Sequence, residues 1–217
     1  MALARPRVDP DLILRLQKYK KLEAVPAPVR QAARAMAALA ESLVEPEGRL
    51  WRARVRRIEP EGTVLVGDGV AFQSRTLARL LRGATEAIAV LLTIGPRLET
   101  RAREMMAEEE FLEALLLDTA GWVAIDALAK TLRRDLSADA KAQGFRLTHR
   151  MAPGYADWGL EQQRVLFSTF GQETLPVRLT EACVMLPQKS ISGIYGLIPN
   201  SAVEPPRTPS APISPGD

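Results

Sequence analysis

From Ala87 to Ile94 the chain reads Ala-Ile-Ala-Val-Leu-Leu-Thr-Ile, its longest strongly apolar run, and Gly95-Pro96 closes it at once. A helix that crosses a bilayer needs about 20 apolar residues, so this run is too short to span a membrane and predicts a buried strand. Its flanks decide the fold class. Before it, Trp51 to Ile58 alternates with a period of two, with Trp51, Ala53 and Val55 on one side and Arg52, Arg54 and Arg56 on the other, the pattern of a half-solvated strand. Thr63 to Val66 and Val70 to Phe72, joined by Gly67-Asp68-Gly69, predict a hairpin whose turn uses glycine for positive φ. After the run, helices dominate from Pro96 to Gln143. The stretch Phe111 to Leu136 puts Leu112, Leu115, Leu116, Val123, Leu128 and Leu132 on the core face of one long helix, with Gly144 past its end.

The remaining elements follow from caps and breakers. Asp9-Pro10-Asp11 opens a first helix through Leu12, Ile13 and Leu16, and an alanine-rich second helix runs from Pro28 to Leu43 before Pro46 and Gly48. Ser74 to Leu81 predicts a short amphipathic helix, Phe145 to Thr148 a short strand and Glu161 to Phe170 another helix. Pro176 to Leu186 and Ser190 to Leu197 are expected to complete the sheet. Strands early, helices in the middle and strands late lack the βαβ alternation of a doubly wound sheet, so the expected class is α+β with a mainly antiparallel sheet.

A chain of 217 residues that is 47% hydrophobic supports one well-buried domain. We divide it into an N-terminal helical segment (1–48) packed on an α+β core (49–200). A tail (201–217) rich in Pro205, Pro206, Pro209, Pro212 and Pro215 is expected to be disordered. The single cysteine, Cys183, excludes an internal disulfide, and one histidine with one cysteine excludes the usual soft-metal and nucleophile–histidine constellations except through His149. With no apolar secretory core at the N-terminus, a cytoplasmic protein without a membrane span is the default expectation. A net charge of +3, from 29 basic and 26 acidic residues, is too mild for a nucleic-acid signature, and the Arg52, Arg54, Arg56 face reads as a solvated strand face.

The residues most suited to a ligand are Arg150-Met151-Ala152-Pro153-Gly154-Tyr155. Arg150 offers an anion partner, Ala152 and Gly154 exposed backbone beside the stiff Pro153, and Tyr155 a stacking ring. The same residues also read as a surface turn with an arginine salt bridge and a packed tyrosine. Asp118, Trp122 and Asp126 are spaced four apart on the long helix. On one helix face, the two carboxylates read as pairing with nearby basic groups or caps at the edge of the packed face, or as open to a cationic ligand. Cys183 reads as a small core hydrophobe and His149 as a strand-end polar residue.

Taken with Phe167, Leu179-Thr180-Glu181, Met185, Pro187 and Ser190-Ile191-Ser192-Gly193-Ile194-Tyr195, the Arg-x-Ala-Pro-Gly-Tyr loop resembles the C-terminal activation domain of cobalamin-dependent methionine synthase. The resemblance implies that domain's fold and an S-adenosylmethionine site at Arg150, Ala152, Pro153, Gly154 and Tyr155. Acidic contributions from Asp118, Asp126 and Glu181, and cleft-lining roles for Ser192 and Tyr195, belong to the same expectation. It further implies a standalone methyltransferase-type component that supports reductive methylation of cobalamin held by a separate corrinoid protein or split methionine synthase, with a flavodoxin or ferredoxin as electron donor. The alternative is a non-catalytic adaptor of the same fold that docks on a corrinoid protein or electron donor. The chain departs from the family pattern where Ala156-Asp157-Trp158 replaces a proline-bearing exit, and where Gln143-Gly144-Phe145 provides no acid ahead of the arginine.

Overall fold

The computed structural model of the chain describes residues 3–171 and 174–200, and the expected tail disorder lies outside them. Helices α1 (Pro10–Leu16) and α2 (Ala27–Leu43) lead into strand β1 (Glu47–Ile58), the hairpin β2 (Thr63–Val66) and β3 (Val70–Gln73), helix α3 (Arg75–Leu80) and strand β4 (Glu86–Thr93). Helices α4 (Arg97–Ala107) and α5 (Phe111–Ala142) follow, then β5 (Phe145–Leu147) and α6 (Gln163–Ser168). The short strands β6 (Arg178–Leu179) and β7 (Met185–Leu186) precede the long strand β8 (Ser190–Pro199).

Six strands form one sheet in the order β3-β2-β1-β4-β8-β5, with every neighbouring pair antiparallel. The class is therefore α+β, as the order of periods predicts. Strand β4 is central, paired along its length with β1 on one side and β8 on the other. Its lack of alternation has a direct cause: Ile88, Val90 and Leu92 face a core built with α1, α2, α4 and α5, while Ala87, Ala89 and Leu91 face a second core under the hairpin, α3 and α6. Strand β1 keeps its alternation because only its Trp51, Ala53 and Val55 side is covered.

Three expectations need correction. The stretch Pro176–Leu186 is no strand of the main sheet: β6 and β7 pair only with each other, as a separate ribbon closed by a turn in which Cys183 takes φ +61°. Alternating apolar residues made it look like a sheet strand, yet the tight Thr180–Val184 turn folds it back on itself. The helix expected over Glu161–Phe170 is a 3-10 turn (Leu160–Gln162) followed by α6, which ends at Ser168. On α5, Leu112 and Leu115 are exposed, while Ala114, Leu117, Ala120, Gly121 and Ala124 are buried. Small residues let this helix lie close to the sheet, so the bulky side chains at its first turns fall outside the contact. Among the described residues, no helix is long and apolar enough to cross a membrane.

Candidate functional site

Residues after β5 continue alongside β8. The Thr148 amide donates to the Gly196 carbonyl (3.0 Å), and Met151 and Ile194 exchange both backbone hydrogen bonds (3.0 and 2.7 Å). The Arg150 side chain passes over Gly193, which has φ +152° and where an added Cβ would lie 2.6 Å from the Met151 carbonyl oxygen and 2.8 Å from Arg150 Cγ. Only glycine fits that crossing. The half-buried Arg150 guanidinium donates through Nη1 to the Ser192 carbonyl and forms no ion pair with a described residue. The Ser192 hydroxyl points to the opposite face, where it accepts from Gln163 Nε2 (2.6 Å). Two positions beyond Gly193, Tyr195 is buried; desolvation raises its phenol pKa, and the positive charges of Arg150 and Arg133 act against that rise. Arg150, the Ser192 carbonyl and Tyr195 thus form one cluster, with Arg133 of α5 within electrostatic reach of the Tyr195 phenol.

In the loop itself, Ala152 and Pro153 are buried, Gly154 adopts φ +90°, and Tyr155 is 63% exposed. The turn is closed by the Gly154 amide on the Trp158 carbonyl (2.7 Å) and the Tyr155 amide on the Ala152 carbonyl (3.2 Å). Its exit is the anchor. Asp157 accepts from the Ser74 hydroxyl (2.8 Å) and from the amides of Arg75 (2.7 Å) and Thr76 (3.2 Å), capping α3 together with Ser74, whose Oγ accepts from the Leu77 amide. Hydrogen bonding from the Thr76 and Ser74 side chains, supplemented by those amides, holds its carboxyl well below the usual carboxylate range. Trp158 is fully buried, edge-on to Phe72 with ring centroids 5.5 Å apart, and its Nε1 donates to Gln162 Oε1 (3.0 Å). The Ala156-Asp157-Trp158 departure from the family pattern is therefore what fastens this loop to the hairpin and α3.

None of the acidic candidates reaches the Arg150 cluster by a hydrogen bond or ion pair among the described residues. Asp118 Oδ1 accepts from Lys189 Nζ at 2.7 Å, and that ammonium lies 4.7 Å from the centroid of the Trp122 ring. Lys189 is only 3% exposed, with its stem laid against Gly121, where an added Cβ would sit 3.1 Å from Cε. Asp126 is exposed and pairs with Lys130 (2.6 Å). Glu181 is exposed in the β6–β7 turn, where its carbonyl accepts from Arg164 Nη2 (2.6 Å).

Sequence reasoning missed Lys189 and Arg133. Lys189 stands in register with Ile191, Gly193 and Tyr195 on the helix-facing side of β8, and a lysine in that alternating set was the available signal. Arg133 carried none, since one exposed arginine on a helix looks like any other. A cavity of about 880 Å³ lies apart from the Arg150 cluster, between α4, α5 and the β6–β7 ribbon, and of the predicted site residues only Asp118 borders it. No group of three His, Cys, Asp or Glu among the described residues is placed to hold a metal ion. On β1, Arg52 pairs with Glu86, Arg56 with Asp68 (3.3 Å) and Arg57 with Glu59 (3.1 Å), so the arginine face is partly neutralised.

No protein-family model matches the chain, and no curated protein matches it in sequence. Among solved structures, the crystal structure of the MetH reactivation domain bound to AdoHcy aligns with a TM-score of 0.62, covering 94% of this chain and 79% of that one at 13% identity. The chain has the fold of the MetH reactivation domain.

Proposed function

We propose that this chain binds S-adenosylmethionine and supports the reductive methylation of a corrinoid carried by a separate protein. The observation that carries the reading is the Arg150 guanidinium, half-buried, without an ion pair to a described residue, and clamped across Gly193 to the Ser192 carbonyl in a fold whose solved neighbour holds AdoHcy. The residues present fit such a ligand. Arg150, with Arg133 nearby, supplies positive charge for its carboxylate, Tyr155 an exposed ring for its base, and the Gly154 region a backbone free of side-chain bulk. Asp118 and Trp122 carry the chemistry that takes a cation, a carboxylate beside an indole face, and in the free chain that place is held by Lys189.

S-adenosylmethionine is the substrate that supplies an electrophilic methyl group. Transfer to reduced cobalt breaks the carbon–sulfur bond, forms a carbon–cobalt bond and leaves S-adenosylhomocysteine, with one electron from a flavodoxin or ferredoxin having first reduced the cobalt. No proton moves, so the chain's own part is to bind, orient and exclude water. The test is a mixture of this protein, a cob(II)alamin-loaded partner, a reductant and S-adenosylmethionine, followed by its visible spectrum. Methylcobalamin should form only when the chain is present, and its equal formation without the chain contradicts the reading.

A second reading, a non-catalytic adaptor that docks on a corrinoid protein or electron donor, is favoured by one specific feature. Lys189 already occupies the Asp118–Trp122 place and Tyr155 stands open to solvent. Partner binding without nucleoside binding would select it.

A further inference from the structure

The 880 Å³ groove between α4, α5 and the β6–β7 ribbon is in the size range of small-molecule sites, about 300–1,000 Å³, and none of the residues of the Arg150 cluster lines it. Its walls are largely apolar: Ala114 and Leu115 come from α5, Leu175 from the segment leading into β6, and Leu186 from β7. Leu115 is 48% exposed there, an uncovered apolar surface of the kind that ligand grooves leave open.

The charges around it are unequal in their freedom. Glu99 accepts the Lys189 amide (2.6 Å) and keeps its negative charge, while Asp118 is neutralised by the Lys189 ammonium (2.7 Å), so among the described lining residues one carboxylate charge stands against two arginines. Among the described residues, Arg103 on α4 bonds only to the Glu99 carbonyl (3.4 Å) and the Thr100 hydroxyl (3.2 Å), and Arg178 on β6 has no side-chain hydrogen bond or ion pair. Two guanidinium groups, one from each wall, thus stand above an apolar bed with a net excess of positive charge among the described lining residues. We propose that this groove is a second ligand site, taking an organic anion with an apolar body whose carboxylate or phosphate is held between Arg103 and Arg178 while the body lies on Leu115, Leu175 and Leu186. Neutral apolar molecules would leave the guanidinium groups unused, and cations would be repelled by them.

The proposal is tested on the full chain with the fluorescent aryl sulfonate 1-anilinonaphthalene-8-sulfonate, under conditions where the protein melts cooperatively so that the dye does not report unfolding. One saturable site is expected. Octanoate and octyl phosphate should displace the dye, their ratio distinguishing a carboxylate from a phosphate head, while octylammonium should not. Reversing both charges (Arg103→Glu with Arg178→Glu) should weaken dye binding by about tenfold or more, with the glutamine pair as the substitute should the reversed pair fail to melt cooperatively. Arg82→Glu, the same kind of change at an exposed turn elsewhere, should leave binding intact. Absence of saturation, displacement by octylammonium equal to that by octanoate, or a double variant that binds like Arg82→Glu overturns the proposal. Displacement by millimolar S-adenosylmethionine overturns it as well, because the groove would then be the nucleoside site itself.

Discussion

Single positions in this chain carry constraints that composition hides. At Gly193, positive φ and the approach of the Met151 carbonyl leave no room for a methyl group. Gly193→Ala should cost about 1–3 kcal/mol or more in chemical denaturation, and a change within about 0.5 kcal/mol would show that the crossing relaxes freely. Asp157 predicts a pH dependence. Its folded pKa is depressed, so its contribution is complete above about pH 3.9, the unfolded value, and is lost progressively as pH falls toward the folded value. The melting-temperature gap between the native chain and Asp157→Asn should be open at pH 7 and narrow below about pH 4. A gap unchanged from pH 7 to pH 3 contradicts the capping role. Removing the Lys189 partner by Asp118→Asn leaves an ammonium that is 3% exposed without its carboxylate. The expected loss is about 1–3 kcal/mol, less than for a fully buried pair because Asp118 is itself about half exposed. An Asp118→Asn chain as stable as the parent would mean that the Trp122 face alone holds the ammonium.

At the scale of elements, the sheet was legible wherever period and burial agree. The two-residue alternation of β1, the unbroken apolar run of β4 and the glycine turn of the β2–β3 hairpin each reflect how many faces are covered. Where local pattern and tertiary contact part, the pattern misleads. Pro176–Leu186 has the composition of a sheet strand, but its turn closes on itself and β8 takes the position beside β4. The leucines at the start of α5 match a helical core stripe, yet the alanine and glycine face is the one that meets the sheet. The loop at 150–158 was legible as a motif and not as an architecture. That Asp157 caps α3 and that Trp158 packs on Phe72 depends on chain segments far apart in sequence. Trp158→Ala should therefore cost about 3–5 kcal/mol and loosen the loop as well as the core. Loss of stability with unchanged amide-exchange protection at residues 151–157 would separate the loop from this anchor.

For the whole molecule, two cores on either side of one antiparallel sheet leave β8 with Arg150 laid across it, and the fold matches a reactivation domain at an identity too low to carry residue roles with it. Of the candidate site, Arg150, the Ser192 carbonyl and Tyr195 come together, while Asp126 sits on the surface paired with Lys130 and Glu181 sits exposed in the β6–β7 turn. Spacing along the sequence shows which residues share a helix face. Which of them already holds a lysine depends on how β8 is laid against α5. The most direct measurement is calorimetric titration of S-adenosylmethionine into the native chain and into Arg150→Ala. The account predicts one saturable site, weakened about 10- to 100-fold by the substitution as expected for loss of a charge-assisted contact, with the two chains melting alike. No heat at millimolar ligand, or equal affinity in the two chains, contradicts it.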